Sequence, residues 1–150
     1  MSSASRSWRA FRALSGAERW LLARTLVLLP LTAASLRILG FGRTQALLVP
    51  AAGAAPGRQD LPAAQSIARI VHGAAPWSPL HANCLPRAVV LCRLLSQQGM
   101  QAELRLGVAR PDGEFSAHAW VEHAGVALAQ PDGVEQRFAA IGDSSPNRGI

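Results

Sequence analysis

The feature that most limits what this chain can fold into is a change of hydrophobic period at Gly99. Before Gly99, apolar residues recur at helical spacing; after it, they alternate with polar ones. From Cys84 to Leu95, the residues Leu85, Ala88, Val89, Leu91, Cys92 and Leu95 put apolar surface on more than one side of a helix, so that helix must be deeply packed. Beyond Gly99, Ala102, Leu104, Leu106 and Val108 alternate with Glu103 and Arg105, the pattern of a half-buried strand. Helices first and an antiparallel meander second define an α+β fold.

Boundary signals divide the chain further. Ser15 and Glu18 form a capping box that starts a helix running to about Leu39, bent near Pro30 and stopped at Gly40. The small, Gly- and Pro-punctuated stretch 51–57 is a linker. A second helix spans about Leu61 to His72, with Asp60 as cap and Pro62 in the first turn. Pro76 to Pro79 is a turn carrying Trp77. Asn83 caps the third helix, which opens at Cys84 and has Pro86 still in its first turn, where the missing N–H costs nothing. Three strands follow, over about Ala102–Val108, Phe115–Glu122 and Val126–Gln130, with turns at Arg110–Gly113 and Ala124–Gly125. From Pro131 onward only Phe138 and Ile141 look anchored, and the end is expected to fray. At 150 residues the chain fits one structural domain, divided into a basic arm, helix and linker over 1–57 and a core over 58–150.

Charge is confined to the first part. All 15 basic residues are arginine, and up to Arg43 seven of them face the single acid Glu18, which accounts for the whole net charge of +6. A basic arm of this kind meets phosphates, anionic lipid or an acidic protein partner. No nucleic-acid-binding motif accompanies it, so no nucleic-acid partner is expected. Between Trp20 and Phe41 the uncharged core, Thr25 to Leu36, is about half the ~20 residues a membrane span requires, and Arg24 and Arg37 fence it. This helix is either buried or lies on a membrane surface.

Two cysteines make no disulfide framework. Eight residues apart on one helix, Cys84 and Cys92 would be separated by roughly 12 Å, beyond the reach of a bridge. They also lack the paired spacing of a structural zinc site, and no metal or other cofactor is expected. The usage suits a reducing cytoplasm. A thiol attacks carbonyls as thiolate, and the first turn of a helix offers both a dipole and free amides to stabilise that anion. Cys84 holds such a position; Cys92, two turns in, reads as a small core residue. In Ser116–Glu122, His118 and Trp120 share one face of a strand, and the alanines on either side of His118 leave room around its ring. A Cys at a helix start followed by a strand His is the layout of thiol acyl-transfer enzymes. His72, His81 and His123 lie near a helix end or in loops and are expected to be solvated.

Several blocks carry a resemblance: Cys84 to Arg87, Leu94-Leu95, Gly99, Ala102 to Val108, Phe115, Ala117 to Glu122, Gly125 and Leu128, with Leu14 to Arg19 and Leu36-Arg37 upstream. Their order and spacing resemble the transglutaminase-like peptidases of lasso peptide biosynthesis, the B proteins in their short stand-alone form, within the papain-like cysteine protease superfamily. The resemblance implies a transglutaminase-like core with catalytic Cys84 at a helix N-terminus and His118 as its base. It implies removal of the leader from a ribosomally made precursor, which frees the core peptide's N-terminus for the lasso cyclase. The leader would be presented by a separate small recognition protein. The family's third catalytic residue is an Asp on the strand after the His, and the position that aligns here is Gln130. With a loop of 123–125, Glu122 pairs with Val126, and His118 falls opposite Gln130. Asp132 lies one same-face step further, diagonal to His118. Asp132, which carries a charge, is the first choice for the third member and Gln130 the alternative; Asp143 is more distant. Two other functions fit the same residues. One is transglutaminase or deamidase chemistry by the same dyad. The other is a non-catalytic adaptor that docks through the basic N-terminal helix, for which Cys84 and His118 would be dispensable.

Overall fold

The computed structural model describes residues 12–49, 57–80, 83–130 and 137–140. Among the described residues, three long helices precede a four-stranded antiparallel sheet, giving the α+β architecture expected from the change of period.

Helix α1 covers Gly16–Leu48. Its capping box is complete: the Glu18 amide donates to the Ser15 hydroxyl at 3.2 Å, and the Ser15 amide donates to the Glu18 carboxylate at 2.7 Å. That second bond holds the Glu18 carboxyl below its ordinary range. Gly40 interrupts the helix with φ 78° and ψ 173°, a region open to glycine alone. Gly40 therefore ends one helix, as its residue type predicts, but a short second segment starts at once. Buried Thr44 hydrogen-bonds back to Ser35 at 3.0 Å and fixes the angle between the two.

Helix α2 is Leu61–Ala74, capped by Asp60, whose carboxylate accepts from the Ala63 amide at 3.0 Å. Ala64, Ile67, Ala68, Val71 and Ala74 are its buried stripe, at the i, i+3, i+4, i+7 spacing of one helical face, continued to i+10. Helix α3 is Cys84–Gln97, and most of it is buried, from Pro86 through Leu95. One continuous core joins Leu29 of α1, the stripe of α2, and Val90, Leu91 and Leu94 of α3 with Ala119 and Val121 from the sheet.

Strand β1 is Glu103–Ala109, β2 is Ser116–His123, β3 is Val126–Ala127 and β4 is Ala139–Ala140, in the order β3-β2-β1-β4. The β1–β2 register sets Leu104 opposite Val121 and Leu106 opposite Ala119 on the helix-facing side. Arg105 lies opposite Trp120 and Gly107 opposite His118 on the other side.

The sequence reading departs from the structure at three places in the sheet. The β2–β3 hairpin has a two-residue turn, Ala124-Gly125, with both φ angles positive (51° and 76°), so Glu122 pairs with Ala127 rather than Val126. The third strand ends at Ala127 instead of Gln130, because Ala129 turns the backbone to φ 49°. Alanine gives no signal for that conformation. A fourth strand, β4, pairs Ala139 with Val108 and Ala140 with Gly107 where only isolated anchors were expected. Most of the 51–57 linker, His81, Asp132, Ile141 and Asp143 lie outside the described residues.

Candidate active site

Cys84 is the first residue of α3, half-buried, with a free thiol packed against the edge of the core. Its position follows from local chemistry. Asn83 is extended at ψ −175°, Pro86 supplies a pre-set φ in the first turn, and the Arg87 amide closes the first helical bond to the Asn83 carbonyl at 3.4 Å. Asn83 takes the cap position, but its side chain makes no capping bond. The opening of the helix is thus not occupied by its own cap.

Cys92 is different in kind. It is 0% exposed, and burial, helped by the charge of Glu103, pushes its thiol up to about 12. A thiol in that state neither attacks nor is attacked near neutral pH.

His118 sits on β2, half-buried, with Nε2 2.8 Å from the Gln130 side-chain oxygen. An amide oxygen only accepts, so Nε2 carries the proton and Nδ1 holds the lone pair able to take a proton from a thiol. Gln130 reaches the ring although β3 has already ended, because the turn at Ala129 swings the following residue back toward β2.

Two aromatic rings flank the imidazole. Trp120 stacks at 6.1 Å between centroids, and Phe138 lies tilted at 5.2 Å. Gly107, across the strand pair, makes this possible: a methyl there would come within 2.7 Å of Phe138 Cβ and 2.8 Å of Trp120 Cζ3. Trp120 is itself held, its indole N–H donating to Glu122 at 3.0 Å. The other Glu122 oxygen accepts from Arg105 Nε at 3.0 Å, and Arg105 also pairs with Glu103. A shallow polar cleft of about 160 Å³ on this side, lined by Glu103, Arg105, Glu122 and the β2–β3 turn, reaches neither Cys84 nor His118.

Helix α3 packs on β2 through the face that carries Ala119 and Val121, and Cys84 packs at the edge of that cluster. His118 stands on the opposite face of β2, and its described contacts are to Gln130, Trp120 and Phe138 rather than to Cys84. His72, in the last turn of α2, feels the charges of both Arg87, one turn into α3, and His118. His72 is not the solvated residue expected from sequence. Its Nδ1 lies 2.9 Å from the Ala68 carbonyl, and burial holds its pKa below the ordinary 6.5 despite that bond. His123 departs further: it is 1% exposed, with Nδ1 donating to the Gln101 carbonyl at 2.6 Å and Nε2 accepting from the Asp60 amide at 3.2 Å. One neutral tautomer satisfies both bonds, so His123 ties the cap of α2 to the start of β1. Neither role is visible in sequence, since both depend on partners far along the chain. Gly107 did leave a trace, as a glycine inside an otherwise alternating strand, which marks a close approach.

The structure thus has a half-buried thiol at the opening of α3 and a strand histidine bonded to Gln130. The chain belongs to the transglutaminase-like superfamily, whose family model matches residues 25–143. Members of that superfamily are typically cysteine enzymes of acyl transfer or proteolysis. No curated protein and no solved structure matches the chain.

Proposed function

We propose that the protein is a cysteine endopeptidase that removes the leader from a ribosomally synthesised lasso peptide precursor before macrocyclisation. The observation that supports this reading is the His118–Gln130 bond, which makes Nε2 the donor and leaves Nδ1 as base, in a superfamily whose members are typically cysteine enzymes.

In this mechanism His118 Nδ1 takes the Cys84 proton, and the thiolate attacks the carbonyl at the leader–core junction. The developing oxyanion lies against the backbone amides that open α3, those of Cys84 and Leu85; Pro86 has none to offer. The imidazolium returns its proton to the departing amine, which becomes the core's new N-terminus. Water, deprotonated by the same imidazole, attacks the thioester and releases the leader as an acid, regenerating the thiol. Gln130 keeps the ring in register throughout, and Asp132 remains the other candidate for that role.

The partners of this activity are the precursor leader, a small recognition protein that presents it, and the cyclase that consumes the product. The basic segment before Ser15 suits docking with these partners, since it belongs to the positively charged stretch up to Arg43 and the chain beyond that is neutral. The working compartment is the cytoplasm. The test is incubation of the purified chain with precursor and recognition protein, read by mass spectrometry. A free leader acid and a core peptide with a new amine are expected, and Cys84→Ala and His118→Ala should each lose nearly all turnover while staying folded. An amine adduct or a deamidated side chain would identify transfer by the same dyad instead. Normal function of the Cys84→Ala variant would leave an adaptor.

A further inference from the structure

Helix α1 is apolar on two opposite sides, and only one of them is used inside the protein. Thr25, Leu29, Thr32 and Ala33 are buried on the inner side, with Leu21, Leu22, Leu26 and Leu28 packed beside them against the core. On the outer side Trp20, Val27, Leu31 and Ile38 are between 59% and 80% exposed. At 3.6 residues per turn these four fall within about 40° of arc, and the stripe runs about 27 Å along the helix. Exposed apolar residues scattered singly need no explanation, but an aligned stripe of this length does.

We propose that this outer face of α1 is a docking surface for an anionic lipid membrane, on which the protein lies peripherally. Charge argues for the occupant. Arg12, Arg19, Arg37 and Arg43 are all exposed, and Arg19 and Arg37 sit one above the other, about 100° around the helix from the stripe. Glu18 is the only acid up to Arg43. A second copy of the chain would bring the same arginines against these, so self-association through the stripe is opposed by like charge. Anionic headgroups attract them, at about fivefold in affinity for each arginine near the surface. Shape agrees, because a stripe on the outside of a helix needs no complementary groove. Trp20, at one end, is the residue type that favours the headgroup boundary. The helix has the length and hydropathy to cross a bilayer, but its inner face is part of the protein core. Spanning would tear Leu29 from α2 and α3, so the helix lies along the surface.

Cosedimentation of the full chain with vesicles tests this independently of any peptidase activity, and the Cys84→Ala variant should behave as the parent does. Binding is expected to vesicles of phosphatidylcholine with a third phosphatidylglycerol, to be weak on phosphatidylcholine alone, and to fall as salt rises from ~0.1 M to ~1 M. Arg19→Gln with Arg37→Gln should weaken binding about 25-fold. Leu31→Ser with Ile38→Ser should abolish it with circular dichroism unchanged, since both side chains are exposed. The proposal is overturned if the chain stays in the supernatant with anionic vesicles, if neutral vesicles bind equally, or if the Leu31/Ile38 variant binds like the parent. A dimer seen by light scattering, or a complex with the recognition protein, that the Leu31/Ile38 variant alone dissolves would, without vesicle binding, reassign the stripe to a protein.

Discussion

An imidazole serves as a base only in one tautomer and one orientation, and here both depend on a few neighbours of His118. Replacing Gln130 with Ala removes the acceptor on Nε2 and frees the ring to rotate, which should slow cleavage about a hundredfold at little cost in stability. Alkylation rate of the Cys84 thiol against pH is the direct check: the Gln130→Ala profile should move to higher pH, and Asp132→Asn should move it less. The reverse order would transfer the role to Asp132. Gly107 offers a second handle. A methyl at that position collides with Trp120 and Phe138 together, so Gly107→Ala should depress turnover far more than it lowers Tm. Equal losses in both would mean that the two rings matter to packing and not to the imidazole. Glu103, Arg105 and Glu122 form the outer end of the same chain of contacts, with no group on it left to chance.

At the scale of elements, sequence signals located starts and stops better than continuations. Ser15, Glu18, Asp60 and Pro62 marked helix openings because capping is local, and Gly40 marked an end because its φ is. That a helix resumes after Gly40 depends on Thr44 meeting Ser35, which no local pattern announces. Alternation gave β1 and β2 almost to the residue, since one face of each is buried against helices. The two-residue strands β3 and β4 are too short to show a period at all. The Ala129 turn, which brings Gln130 to the site, is stabilised from outside: the Leu128 amide donates to the Val121 carbonyl at 2.9 Å, and Leu128 is fully buried. Gly40 can be tested alone. With φ 78° and ψ 173°, Gly40→Ala should destabilise the chain by about 1–3 kcal/mol in a denaturant titration, through strain and not through a clash. No change would mean that the two helical segments can reorient freely.

Across the whole molecule, the local elements of Cys84 and His118, a helix opening and a strand, were legible from residue type and period, whereas the neighbours of His118 come from remote segments. His72 shows what such long-range placement does to stability. Its pKa is held below 6.5 in the fold, so the unfolded chain binds the proton first as pH falls. The stability tied to neutral His72 is therefore complete above pH 6.5 and lost on acidification through its lower folded value. His72→Gln should flatten the fall of Tm between pH 6.5 and the carboxylate range, measured against the parent in the same buffers. An identical slope in both would place the acid sensitivity elsewhere.

The contrast between the two thiols has a practical corollary. Cys92 is sealed in the core with its proton held to about pH 12, while Cys84 stands at a helix opening. The folded chain should consume one equivalent of iodoacetamide at neutral pH and the urea-unfolded chain two. Labelling stoichiometry then counts intact centres in any preparation, without substrate and without removing a cysteine. The same handle accepts a fluorophore or a biotin at the suspected nucleophile alone, so the protein comes with its own single attachment point for fishing out whatever peptide it meets.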